Sequence, residues 1–106
     1  MAKPFHLELR GSLPNLMDQF KEINQVILFG SRARGDHEER SDIDLAIDAE
    51  VSEYMWDRIC SYIEEEAETL LPFDLIWLQH TSETLRQRIN QEGIVLYERK
   101  SRPKSS

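Results

Sequence analysis

The residues able to do chemistry in this chain are few and closely spaced. Gly30-Ser31 is followed, after ten intervening residues, by Asp42-Ile43-Asp44, and a third acid, Asp74, stands between Phe73 and Leu75. Alternate residues of an extended strand point to the same side with Cα atoms roughly 6 to 7 Å apart, so Asp42 and Asp44 can aim two carboxylates at a shared point. Oxygen ligands of this kind suit a hard divalent cation such as Mg2+, which takes one or two protein carboxylates and completes its shell with water and substrate phosphates. Two such ions about 3.5 to 4 Å apart can hold both the attacking and the leaving oxygen of an in-line phosphoryl displacement. Without a cation, two carboxylates about 5 Å apart repel by roughly 3 kcal/mol at an effective dielectric near 20. That repulsion would push one of the pair towards its protonated form.

Asp74 joins these acids if its strand neighbours the Asp42–Asp44 strand. It could then ligate a metal or accept a proton from an attacking group, which requires it within hydrogen-bond reach. Gly30, without a Cβ, lets backbone N–H groups approach a phosphate closely, and the Ser31 hydroxyl adds a further donor. Arg32 and Arg34 are both candidates for neutralising triphosphate charge or a pyrophosphate leaving group. Gly30-Ser31-Arg32-Ala33-Arg34-Gly35 is not a P-loop, because Asp36 and His37 stand where Lys and Ser or Thr are required.

The elements that must position these residues are legible in outline. Leu16, Met17, Phe20 and Ile23 recur at helical spacing behind Ser12, a candidate N-cap, and Pro14, which a first helical turn tolerates. Gln25–Phe29 is a short apolar run stopped by Gly30, the pattern of a buried strand. In the next strand Ile43, Leu45 and Ile47 alternate with Asp42, Asp44, Ala46 and Asp48, so the carboxylates share one face. Ser52 caps a long helix with core positions Met55, Ile59, Tyr62, Ile63, Ala67 and Leu70, ended by Leu71-Pro72. Phe73–Leu78 reads as a third strand, Thr81 or Ser82 opens a last helix ending at Gly93, and Ile94–Tyr97 is a final extended piece. The expected fold class is α+β, or mixed α/β, with a short mixed β-sheet and helices packed mainly on one face. Residues 1–98 form one domain and residues 99–106 a basic, disordered tail.

Taken together, Gly30-Ser31-Arg32-Ala33-Arg34-Gly35, Ser41-Asp42-Ile43-Asp44-Leu45 and Phe73-Asp74-Leu75 resemble the motif set of the minimal nucleotidyltransferases, the MNT branch of the DNA polymerase β-like superfamily. The likeness spans about residues 12–98. It implies a polymerase β-like nucleotidyltransferase fold and transfer of a nucleoside monophosphate from an NTP, with ATP as substrate and two Mg2+ ions. It further implies that Asp42 and Asp44 are metal ligands, that Asp74 is the third carboxylate, and that Gly30 and Ser31 bind the triphosphate. MNT proteins of this length resemble antitoxins that neutralise a HEPN-type ribonuclease toxin by adding AMP to a tyrosine. Acidic Asp36-His37-Glu38-Glu39 lies between the two motif halves, where such loops are often less negative.

Composition narrows the setting. Thirteen Lys and Arg against twenty Asp and Glu leave a net charge of −7. Residues 1–98 hold nine of those cations and all twenty acids, for −11, so non-specific nucleic-acid binding through bulk positive charge is not expected. A single cysteine, Cys60, forms no internal disulfide and fits a reducing cytoplasm. No apolar run approaches the roughly 20 residues of a membrane helix. A complete motif in a chain too short for an acceptor-binding domain points to an acceptor supplied by a partner protein, in a hetero-oligomer. A small alcohol of the aminoglycoside kind is the alternative acceptor, and occlusion of the partner without catalysis is the alternative mechanism.

Overall fold

Val26, Ile27 and Leu28 are all buried, so the strand that carries them is covered on both faces. The computed structural model describes residues 13–35, 42–66 and 72–99. Within them the order is α1 (Leu13–Gln19), β1 (Ile23–Phe29), α2 (Ser31–Arg34), β2 (Ile43–Ala49), α3 (Glu53–Glu66), β3 (Phe73–Trp77), a 3-10 turn (Leu78–His80), α4 (Glu83–Glu92) and β4 (Ile94–Glu98). The four strands make one mixed sheet of order β3-β2-β1-β4. β1 runs antiparallel to β2 and to β4, whereas β2 and β3 run parallel.

The period-2 pattern of β2 decides which helices cover which face. Ile43, Leu45 and Ile47 join Val26 and Leu28 in the larger core, closed by Leu16, Met17 and Phe20 from α1 and by Ile59 and Ile63 from α3. Phe20 meets Tyr62 edge to face, at a centroid distance of 5.6 Å. The opposite face carries a smaller core in which Ile89 and Leu85 of α4, with Leu78, lie on Ile27, Ala46 and Ile76. α4 therefore covers the middle of the face on which Asp44 and Asp74 stand.

The helix caps follow the sequence. Ser52 Oγ accepts from Met55 N at 3.2 Å, and Ser82 Oγ accepts from Leu85 N at 3.2 Å, each relieving an orphan N–H of a first turn. The candidate cap Ser12, and core positions Ala67 and Leu70, lie outside the described residues. Gly93 does stop α4, but with φ −75° it needs no left-handed freedom. A Cβ there would collide with Ile27 and with Ile89 O, so the glycine is required by close approach of helix to sheet.

The far end of β2 is also pinned. Trp77 Nε1 donates to Ala49 O at 2.8 Å, and Gln79 Oε1 accepts from Ala49 N at 3.1 Å. Trp77 lies stacked between Trp56 and His80, at centroid distances of 5.1 and 3.8 Å. Arg99, expected as the first residue of the tail, is instead fixed to the domain. Its N–H donates to Asn24 O at 2.8 Å, and its guanidinium donates to Met17 O, Ile23 O and Phe20 O at 2.8, 3.0 and 3.4 Å. It thereby ties together Met17 O in the last turn of α1, Phe20 O just beyond it and Ile23 O at the start of β1.

Candidate functional site

Sheet register assembles the site. Asp44 is opposite Phe29 on antiparallel β1 and opposite Asp74 on parallel β3. The first pairing delivers Gly30, next in the chain after Phe29, to the Asp44 carboxylate. The second meets the condition on which the role of Asp74 depended, since β3 does neighbour β2. Three segments far apart in sequence thus meet at one end of the sheet.

Gly30 is held there for two independent reasons. Its φ of +75° and ψ of −155° fall in a region open essentially to glycine alone. A Cβ at this position would also overlap Asp44 Oδ2 and lie 3.1 Å from Asp44 Cγ. The chain then turns into α2, closed at Gly35, whose φ of +86° is left-handed and whose N–H donates to Ser31 O at 2.9 Å. Ser31, half-buried, opens this turn directly after Gly30.

The electrostatics are those of crowded acids. Asp44 is half-buried, while Asp42 and Asp74 are exposed. The Asp44 carboxyl is pushed above its ordinary value, first by burial, then by the charge of Asp74 and a side-chain hydrogen bond with it, then by the charge of Asp42. Arg34 acts in the opposite direction. Asp44 and Asp74 are thus in direct contact, whereas Asp42 acts on Asp44 through charge. Among the described residues, no three His, Cys, Asp or Glu side chains converge tightly enough to hold an ion unaided. The donor set is nevertheless of the right chemistry for Mg2+, with hard oxygens from one or two carboxylates and the rest of the shell left to water and phosphate. A divalent cation would relieve the part of that shift that Asp74 and Asp42 add to burial.

Asp48, the fourth acid on this face, is employed differently, because it accepts from Gln79 Nε2 at 2.5 Å. The side chain of Arg32 lies outside the described residues. Arg34 Nη1 is 3.1 Å from Glu92 Oε1, and Arg88 Nε is 3.6 Å from Glu92 Oε2. Phe29, Gly30, Arg34, Leu85, Arg88 and Glu92 line a cavity of about 90 Å³ beside the glycine. Arg88 and Glu92 were not legible as site residues from the sequence, where they are two charges among many on an exposed helix face.

The chain matches the model of the Polymerase beta, Nucleotidyltransferase family over residues 12–102 and belongs to that family. No curated protein matches it significantly. Among solved structures it is similar to a toxin-antitoxin with AMP-PNP, at 22% identity and TM-score 0.68, covering 86% of this chain and 74% of that one. It is also similar to a structure of the tri-AMPylated Shewanella oneidensis HEPN toxin in complex with MNT antitoxin, at 20% identity and TM-score 0.64, covering 89% and 73%. A third, the toxin-antitoxin MntA-HepT, aligns at 20% identity and TM-score 0.61, covering 85% and 70%. At these identities the likeness is one of fold. No helix among the described residues is long and apolar enough to cross a membrane.

Proposed function

We propose that the chain is an Mg2+-dependent nucleotidyltransferase that moves AMP from ATP to a tyrosine hydroxyl of a HEPN-type ribonuclease, and so acts as its antitoxin in the cytoplasm. The observation that carries this reading is the Asp44 carboxylate, set against Gly30 just past the end of β1 and Asp74 on β3. Family membership gives the reaction class. The partner and the transferred group are suggested by two similar structures, one with AMP-PNP and one with a tri-AMPylated HEPN toxin.

In this reading Asp42, Asp44 and Asp74 would hold the metal, which when bound neutralises phosphate charge and polarises the reacting oxygens. The chain's own residues do the rest. Gly30 and Ser31 receive the triphosphate, with the absent Cβ leaving room for close approach. Arg34 offers its guanidinium to phosphate oxygens. Asp74, exposed at the rim of the sheet, accepts the proton of the acceptor hydroxyl. The acceptor oxygen bonds to the α-phosphorus, the bond from that phosphorus to its bridging oxygen breaks, and pyrophosphate leaves.

The test is the intact mass of the protein encoded next to this one, after co-expression with the chain or with its Asp42→Asn, Asp44→Asn form. A mass increase of one or more AMP residues, absent with the double variant, is the expected result. An unmodified partner that still binds and is still neutralised would replace catalysis by occlusion. A partner that neither binds nor changes mass would redirect the activity to small alcohols.

A further inference from the structure

α4 ends beside the site with an arrangement that its own stability does not explain. Glu92 lies in the last turn, where a carboxylate opposes the helix dipole. It is accompanied by two guanidinium groups, Arg34 of α2 at 3.1 Å and Arg88, one turn earlier on α4, at 3.6 Å. Side-chain exposures of 41% for Arg34, 63% for Arg88 and 32% for Glu92 describe ion pairs that water screens well, and such pairs add little to folding. What the trio does is hold two cations with one anion against the cavity that Gly30 and Phe29 form with Leu85.

That charge matters because of what surrounds it. A polyphosphate approaching Gly30 meets Asp42, Asp44 and Asp74 in a domain that is acidic overall. Arg88 is near Glu92 through Nε, and no other partner is found for its guanidinium among the described residues. A guanidinium at the cavity wall with donors to spare can bind two phosphate oxygens at once. Without Glu92 the two like charges would repel and separate.

We infer that Arg88 is a second phosphate-binding residue, acting with Arg34 on the terminal phosphates of the nucleotide, and that Glu92 is the positioning residue that holds both arginines beside Gly30. This rests on the nucleotide-transfer reading of the same site and names the residues that secure the part of the nucleotide released as pyrophosphate. It gives α4 a role beyond covering the sheet. Its apolar side fixes the helix on Ile27, and its C-terminal turn completes the mouth of the site.

The experiment is a titration of the full chain, in Mg2+, with a non-hydrolysable ATP analogue, with pyrophosphate and with AMP. Arg88→Ala is expected to weaken the ATP analogue and pyrophosphate about tenfold, as for loss of a charged hydrogen-bonding partner, while changing AMP less than twofold. Arg88→Lys, which keeps the charge and loses the guanidinium, recovers part of the loss. Glu92→Gln weakens pyrophosphate about threefold in the unaltered chain and by less than that in the Arg88→Ala background, where only Arg34 is left for it to position. Because both side chains are at the surface, melting temperatures of the variants report whether the fold is kept. Unchanged pyrophosphate affinity in Arg88→Ala, an equal loss for AMP, or tighter binding in Glu92→Gln would each overturn the inference while leaving nucleotide transfer intact. Failure of the unaltered chain to bind any of the three ligands would overturn the transfer reading along with it.

Discussion

Replacing Asp44 by asparagine is expected to make the metal-free protein more stable while removing its response to Mg2+ and nucleotide. Asp44 and Asp74 are register partners on adjacent strands, which sets their Cα atoms about 4.8 Å apart. Two unit charges at that separation repel by roughly 3.5 kcal/mol at an effective dielectric of 20 and by under about 1 kcal/mol in bulk water. Asp74 and Asp42 are exposed, so the lower end applies, and Asp44→Asn is expected to gain about 1 kcal/mol. For a domain of this size that is about 4 to 8 °C in Tm. The pH dependence has a definite direction. Asp44 is raised above 3.8 in the folded chain, so the folded state holds its proton more tightly than the unfolded state does. Its ionisation costs no stability below pH 3.8, and the cost grows as pH rises through the folded value, reaching its full size near neutrality. The advantage of Asp44→Asn, measured by denaturation in EDTA, is therefore present at pH 7 and vanishes on acidification towards pH 3. Mg2+ with a non-hydrolysable ATP analogue at a hundred times its Kd stabilises the unaltered chain by about 2.7 kcal/mol and leaves the variant unchanged. A variant less stable than the parent at pH 7 in EDTA, or an advantage independent of pH, would refute the argument.

Three further outcomes follow from individual contacts. Gly30→Ala imposes both a disfavoured backbone region and an overlap with Asp44; a loss of about 1 to 3 kcal/mol is expected by denaturant titration, with loss of nucleotide binding. Arg99→Ala removes the guanidinium donor shared by the carbonyls of Met17, Phe20 and Ile23 and is expected to cost roughly 1 to 3 kcal/mol by denaturant titration. The Cys60 thiol is pushed up to about 11, by burial first and then by Glu64 and Asp57, so its alkylation at pH 8 is expected to be slow in the folded chain and to accelerate in denaturant.

How far the site could be read in advance depended on whether each contact was local. Asp42 and Asp44 declare themselves by alternation within one strand, and Gly30 by ending the apolar run before it. Asp74 is different, because its value depends on β3 lying parallel to β2 in a register that pairs it with Asp44, and that pairing is made across α3. Its position between Phe73 and Leu75 marks it as an unusual acid without saying what it faces. Arg88 and Glu92 carry still less signal. The 3.6-residue period identifies Ile89 as an inward position of α4, but the strand face receiving it is decided by Ile27, Ala46 and Gly93, in other elements. Gly93 itself is legible as the end of a helix, yet its reason, the methyl of Ile27, is a tertiary contact that no local rule contains.

The same topology explains why one end of the sheet can be chemically active while the other is merely structural, although both ends of β2 carry an aspartate on the same face. At the Asp48 end, Gln79 donates to the carboxylate and accepts from Ala49, and Trp77 donates to the Ala49 carbonyl, so the local polar groups are satisfied within the protein. At the Asp44 end, the neighbours are a glycine with no side chain and a second carboxylate, and the opposing charge of Arg34 is outweighed by burial and by the charges of Asp74 and Asp42. A carboxylate supplied with amide donors is stable as it stands, whereas one facing another carboxylate gains from any cation that arrives. Asp44→Asn and Asp48→Asn should therefore shift Tm in opposite directions in EDTA: the first removes a repulsion, and the second weakens a charged hydrogen bond by about 1 kcal/mol. Equal signs for the two would mean that the difference between the ends of β2 does not originate in the partners each aspartate is given.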